Sequence, residues 1–268
     1  MIIRKKQFDL KNNIYIMGIL NVTPDSFSDG GVFNSSELAL KHTEEMIAAG
    51  ADIIDIGGES TRPSHTPLSE SEEIDRVIPI IEAVRTHFDI PISIDTYKAK
   101  VGKFAVKAGA DMINDIWGFK KEPELAKIAA EYKLPCCLMH NRNNHNYTNI
   151  ISNMLDDFKE SITIALDAGV SKENIILDPG IGFAKTSEDN LIVMNHLDAF
   201  QELKYPLLLG TSRKSFIGNV LNLSVDERVE GTLATTVIGI IKGCSIIRVH
   251  DVLENKRAAQ MTAAILKG

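Results

Sequence analysis

Apolar residues along the chain gather in short runs at regular intervals. The runs are IYIMGIL (14–20), ADIIDIGG (51–58), PISID (91–95), DMINDIWG (111–118), PCCLMH (135–140), NIILDPG (174–180), PLLLGTS (206–212) and CSIIRVHD (244–251). Each is five to eight residues long and rich in Ile, Leu or Val. Near-continuous apolar runs of that length suit parallel strands covered on both faces.

Polar stretches with helical character separate the runs. SSELALKHTEEMIAAG (35–50) carries apolar residues at 38, 39, 46 and 47 and ends on Gly50, a predicted C-cap. Residues 69–88 open with acidic side chains, which the helix dipole favours, and contain Pro79, which predicts a kink or a break. Further helices are expected over 98–109, 121–132, 150–169, 187–200, 224–243 and 251–268. Thr186 followed by Asp189 reads as a capping-box start.

Strand and helix thus alternate eight times, which implies βαβ units and a parallel sheet. Eight such units in about 250 residues is the size of an α/β (β/α)8 TIM barrel. An open doubly wound sheet is the main alternative. It should show GxGxxG in its first βα turn, where this chain reads NVTPDSFSDGG. No linker, low-complexity stretch or internal repeat marks a second unit, so one barrel domain over 1–268 is expected. Residues 1–13 precede the first barrel strand and are expected to form a short hairpin over the barrel floor.

The 268 residues are 44% hydrophobic and 24% charged, ordinary values for a soluble globular chain. Acidic residues outnumber basic ones 36 to 29, a net charge of −7 that argues against non-specific nucleic-acid binding. A local cationic pocket for a small anion remains compatible with it. The cysteines at 136, 137 and 244 form neither a disulfide framework nor a CxxC metal spacing. Cys136 and Cys137 read as reduced core thiols, which fits a reducing cytoplasm. MIIRKKQFDLKNN is not followed by a signal-peptide core, and no run of about 18 apolar residues predicts a membrane span.

Barrel active sites lie at the C-terminal ends of the strands. The runs end in Asn21; in Gly57-Gly58-Glu59-Ser60-Thr61-Arg62; in Asp95; in Asn114 and Asp115; in Met139-His140; in Asp178; in Thr211-Ser212-Arg213-Lys214-Ser215; and in Arg248, His250 and Asp251. The opposite ends are mostly uncharged, so the polar rim is more than the usual passage into loops. Arg248 and His250 are two apart and project to one side of their strand. Facing inward, they would form a cationic clamp for phosphate or diphosphate. Asp95, Asn114 and Asp178 can accept and donate along the edge of a nitrogen heterocycle such as a pterin or guanine. Asp115 points away from Asn114 and is assigned to capping or ion pairing.

Lys214 is either a Schiff-base lysine or a hydrogen-bond donor to a ring oxygen or nitrogen; spacing does not choose between them. His140 and His145 sit in HNRNNHN without a neighbouring carboxylate, so no dedicated zinc site is expected there. Trp117 and Phe119 read as core or pocket wall.

MGILNVTPDSFSDGG (17–31), DIGGESTRP (55–63), SIDT (93–96), MINDIWG (112–118), LDPGIGFAKT (177–186), TSRKSFIG (211–218) and RVHD (248–251) together closely resemble the dihydropteroate synthase family of pterin-binding enzymes. The match runs in order through every strand end. The resemblance implies a (β/α)8 barrel that condenses 6-hydroxymethyl-7,8-dihydropterin diphosphate with p-aminobenzoate. The products are 7,8-dihydropteroate and diphosphate, on the folate pathway, and the implied course is SN1-like. It implies a cytoplasmic homodimer, paired through the late helices, with Mg²⁺ as cofactor and sulfonamides as inhibitors.

By the same resemblance, Asp178 holds the 2-amino and N3 edge of the pterin, Asn114 the adjoining nitrogen edge, and Asp95 faces N8–H. Lys214 reaches the O4/N5 side without requiring a Schiff base. Ile116, Met139 and Phe183 are pocket walls. Asn21 contacts the diphosphate and its Mg²⁺, and Arg248 and His250 bind the diphosphate. Thr61, Arg62, Pro63 and Ser215, with Phe27 from the first loop, make the p-aminobenzoate site. One departure is Ser64, where the family commonly has glycine after STRP; it bears on loop pose and sulfonamide affinity, not on the reaction.

The polar loop NVTPDSFSDGG then reads as a lid, with Asp25 and Phe27 closing over the reacting carbon to exclude water. Three rivals are a methyltetrahydrofolate-type methyltransferase, an inactive pterin-binding paralogue and a barrel aldolase. Arg248, His250 and the SRKS stretch count against the first, and joint presence of Asn21, Lys214, Arg248 and His250 against the second. Borohydride trapping on Lys214 would mark the third.

Overall fold

The structure is a computed structural model that describes residues 1–22, 31–59 and 67–268, with side chains given from residue 36 onward in the first helix. Two short strands, β1 (Ile2–Ile3) and β2 (Lys6–Gln7), pair antiparallel as the expected N-terminal hairpin. Eight parallel strands follow: β3 (Tyr15–Asn21), β4 (Ile53–Gly57), β5 (Ile92–Asp95), β6 (Met112–Asp115), β7 (Cys136–Met139), β8 (Ile175–Asp178), β9 (Leu207–Leu209) and β10 (Cys244–Val249). They close into a barrel in chain order, with β10 returning to β3. Each falls on one of the apolar runs, β3 passing its end by one residue, so the (β/α)8 expectation holds.

The outer ring is α1 (Gly31–Ala48), α2 (Glu70–His87), α3 (Ala99–Ala108), α4 (Glu124–Glu131), α5 (Ile150–Asp167), α6 (Ser187–Asn195), α7 (Ser215–Leu221), α8 (Val229–Ile241) and α9 (Val252–Lys267). Local signals set several of their ends. Ser69 and Glu72 form a capping box on α2, and Thr186 and Asp189 form the one foreseen on α6. Gly50, with φ 99°, follows α1 as the sequence predicts. Pro79 lies inside α2 without breaking it. Val77, Ile80, Ile81 and Val84 are buried on that helix, and their burial outweighs the roughly 3 kcal/mol that an internal proline costs. The late part of the chain is more divided than its pattern suggests. The β9–β10 connection carries α7 and a 3-10 turn (Val225–Glu227) ahead of α8, and a second 3-10 segment (Leu197–Leu203) follows α6.

The barrel interior is built in steps. Met17, Ile53, Met112, Cys137, Ile176, Leu208 and Ile246 form an inward-facing apolar cluster to which every barrel strand but β5 contributes. On β5 the equivalent position is Ser93, fully buried. Ile3 and Phe8 of the hairpin segment pack beneath this cluster and seal the floor. Side chains two residues further along each strand face the same way. They are Ile19, Asp55, Asp95, Asn114, Met139, Asp178, Gly210 and Arg248. Branched apolar residues usually dominate such a ring. Here charged and amide groups do, and they make the base of the mouth.

Candidate active site

Arg248 organises the polar ring. Its Nε donates to Asp55 Oδ2 and its Nη2 to Asp95 Oδ2, both at 2.6 Å. Asn114 Nδ2 donates to the same Asp55 oxygen at 3.1 Å. Asp55 is fully buried, and its Oδ1 has no partner among the described residues. Burial alone would lower the Arg248 pKa, but Asp55 and Asp95 outweigh it and hold the guanidinium charged. Burial pushes Asp95 up to about 7, with Arg248 opposing and Asp55 reinforcing the shift. Asp55 is a site residue that strand-end reasoning passes over, because it lies within an apolar run. Its signal was parity: it is two residues before Gly57 and so faces the barrel axis.

Across the mouth, Asp178 Oδ1 accepts the Gly180 N–H at 2.7 Å. Burial raises its pKa, and the Gly180 bond and Lys214 pull the other way. Asp178 and Arg248 meet over Gly210. A Cβ built on Gly210 would lie 3.7 Å from Asp178 Oδ2 and 3.9 Å from Arg248 Cβ. The acid of the sixth barrel strand and the arginine of the eighth can therefore touch one small molecule.

Lys214 caps the start of α7 and reaches back over the β8–α6 turn, where its Nζ donates to the Ile181 carbonyl. The same Nζ lies 4.3 Å from the centre of the Phe183 ring. Burial brings its pKa down to about 8, against the attraction of Asp178. Met139 is buried at the end of β7, and Ile116 is half-buried just beyond β6. His250 follows β10, and its Nδ1 lies 2.9 Å from Ser212 Oγ. Arg213 is not part of the mouth chemistry; it forms a two-point pair with Asp251, at 3.0 and 2.5 Å.

Asn21 is exposed at the end of β3 and Ser215 is exposed at the first position of α7. Asp25, Phe27, Thr61, Arg62, Pro63 and Ser64 lie outside the described residues. Asp115 caps the β6–α4 turn, accepting the backbone N–H of Trp117 and of Phe119, each at 2.8 Å. Both ring nitrogens of His140 have protein partners. Its Nε2 lies 2.7 Å from Asp157 Oδ2 and its Nδ1 2.9 Å from Lys185 Nζ. The three cysteines are buried free thiols, and no described helix is long and apolar enough to cross a membrane.

The family model described as pterin binding enzyme matches residues 17–250. The dihydropteroate synthase of Clostridium beijerinckii is 63% identical over 268 residues, all of both chains. Among solved structures, the dihydropteroate synthase of Clostridium difficile in the presence of pteroic acid superposes with a TM-score of 0.95 at 52% identity, covering 98% of this chain and 100% of that one. The Yersinia pestis enzyme in complex with a sulfonamide drug superposes with a TM-score of 0.93 at 42% identity, covering 100% and 99%. With its polar barrel mouth and these relatives together, the chain belongs to the pterin-binding enzyme family, in its dihydropteroate synthase branch.

Proposed function

We propose that the ring around Arg248 is where the chain joins a 6-hydroxymethyl-7,8-dihydropterin diphosphate to p-aminobenzoate, releasing diphosphate. The observation that carries this reading is the meeting of Asp178 and Arg248 over Gly210, with Lys214 and Phe183 beside them. Asp178 keeps Oδ2 for the amino and N3–H edge of the pterin, since Oδ1 is spent on Gly180. Asn114 is oriented by Asp55 toward the adjoining ring nitrogens. Asp95 receives N8–H. Lys214 donates on the O4/N5 side as an ammonium hydrogen-bonded to a carbonyl, and no Schiff base is needed. Phe183, Met139 and Ile116 wall the ring.

Arg248 has Nε and Nη2 engaged by Asp55 and Asp95, so Nη1 is the edge it offers to the diphosphate. His250 completes the clamp. Asn21, exposed at the end of β3, would supply one hard oxygen to a Mg²⁺ brought in with the diphosphate. When bound, the ion neutralises charge on the departing diphosphate. The C–O bond to diphosphate breaks in an SN1-like step that the electron-rich ring supports. The neutral aniline nitrogen then forms the C–N bond and loses its proton. The apolar cluster beneath the polar ring excludes water from below the reacting carbon. Thr61, Arg62, Pro63, Ser215 and Phe27 form the p-aminobenzoate site, where sulfonamides compete.

The same reading makes the protein a single-domain cytoplasmic homodimer. Support comes from Val220 and Leu221 on α7, Ile238 and Ile241 on α8, and Met261 and Ile265 on α9, all large apolar side chains left exposed. The decisive assay mixes the protein with the pterin diphosphate, p-aminobenzoate and Mg²⁺ and detects dihydropteroate by mass. Asp178→Asn and Lys214→Ala should each lower turnover by about 100-fold or more. Absence of product with the unmodified protein, or full activity in both variants, refutes the assignment.

A further inference from the structure

The turn between β8 and α6 carries both Asp178 and Phe183, and it is not a conformation the backbone adopts unaided. Gly180, Gly182 and Ala184 all have left-handed φ, at 64°, 86° and 46°. Side chains hold its carbonyls one by one. Lys185 Nζ donates to the carbonyls of Gly180 and Phe183, each at 3.0 Å. Tyr147 Oη donates to Ala184 O at 2.9 Å, and Lys214 takes Ile181 O.

The third partner of Lys185 is His140 Nδ1, on the neighbouring barrel strand's exit, at 2.9 Å. That contact fixes a proton count. His140 Nε2 faces the Asp157 carboxylate at 2.7 Å, so Nε2 carries the hydrogen and Nδ1 presents a lone pair. Asp157 is anchored in turn by Arg142 Nε at 2.5 Å. Lys185 therefore points at three acceptors, and only an ammonium has three hydrogens to meet them. Burial, with Lys214 adding to it, brings its pKa down to about 7 against the pull of Asp178, Asp157 on α5 and Asp189 on α6, so it is the three acceptors around Nζ that favour the ammonium.

We propose that Lys185 is a positioning residue for the pterin half of the reaction. As an ammonium it ties the 180–185 turn to His140, so that the Phe183 ring and the Asp178 carboxylate face one ligand. It touches neither substrate. The proposal rests on the assignment of Asp178 and Phe183 to the pterin.

Steady-state kinetics on Lys185→Met, Lys185→Arg and Asp178→Asn test it. Lys185→Met should raise the KM for the pterin diphosphate by about 10- to 100-fold, the loss of a charge-assisted anchor, and leave the KM for p-aminobenzoate and kcat within about twofold. Lys185→Arg, which keeps the cation, should recover most of the pterin KM. An unchanged pterin KM in Lys185→Met overturns the proposal. So does a parallel rise in both KM values, or a fall in kcat alone, since a loosened fold gives those. If Asp178→Asn raises the pterin KM and Lys185→Met does not, only the positioning role falls. If Asp178→Asn leaves it unchanged, the pterin assignment fails and takes this proposal with it. Should Lys185→Met not fold, Tyr147→Phe releases only the Ala184 carbonyl. It should raise the pterin KM about threefold and spare the p-aminobenzoate KM; no change overturns the proposal.

Discussion

Gly210→Ala separates what the barrel needs from what its ligand needs. Gly210 does not adopt left-handed φ, and a Cβ there would meet Asp178 Oδ2 at 3.7 Å and Arg248 Cβ and Cδ at 3.9 Å. These are ordinary contact distances, so the folded barrel accepts the methyl without moving. The unfolded chain loses freedom, which favours folding by about 0.4–1 kcal/mol. At this chain length that is a rise in melting midpoint of about 1–4 °C. The ligand meets the opposite situation. A pterin seated between Asp178 and Arg248 rests on the face that Gly210 leaves bare. A methyl on that face must lift the ring from Asp178, an overpacking cost of about 1–3 kcal/mol. The pterin KM should therefore rise about 5- to 150-fold. A thermal melt and a titration of the pterin diphosphate at saturating p-aminobenzoate measure the two halves. A pterin KM within twofold of the unmodified protein refutes the seat over Gly210. A midpoint lowered by several degrees refutes the packing argument.

Asp55→Asn should cost about 1.5–3 kcal/mol, because Arg248 keeps Asp95 but loses a charged acceptor, and the midpoint should fall by about 3–10 °C. It should also raise the pterin KM through Asn114 and Arg248; an unchanged melt would show that Asp55 does not brace them. Burial brings His140 down to about 4 from its ordinary 6.5, so the folded state excludes a proton that the unfolded chain accepts. Its contribution to stability is complete above about pH 6.5 and is lost toward pH 4, at up to about 1.4 kcal/mol per pH unit. Chemical denaturation across pH 4–7 should show this slope in the unmodified protein and a flatter one in His140→Gln; equal slopes refute the neutral buried imidazole. If the chain pairs through its late helices as proposed, Ile241→Lys, at an exposed apolar position on α8, should convert a dimer to a monomer in light scattering at micromolar concentration. An unaltered mass places the interface elsewhere.

Much of the fold is written in the apolar runs, because strands covered on both faces leave little room for polar residues. The eight strands were legible that way, the α6 start from the Thr186–Asp189 spacing, and the hairpin from the residues left over ahead of the first barrel strand. Pro79 does not break its helix because tertiary burial overrides a local penalty. The division of residues 213–243 into α7, a 3-10 turn and α8 is hidden because short helices carry little periodic signal. At the site, residues that end strands announce themselves by position. Asp55 does not, since it sits mid-run and is recognised only when inward parity is followed one step below the rim. Lys185 is harder still, because its partners are carbonyls and an imidazole brought near by the barrel's closure.

The hairpin under the barrel has a consequence for traffic. Ile3 and Phe8 stopper the lower end of the barrel among the described residues, which leaves the polar ring to be approached from the strands' C-terminal ends. Two reactants stacked in such a cup would load from the bottom upward, and the constraint on their order would originate at the end of the barrel farthest from the polar ring.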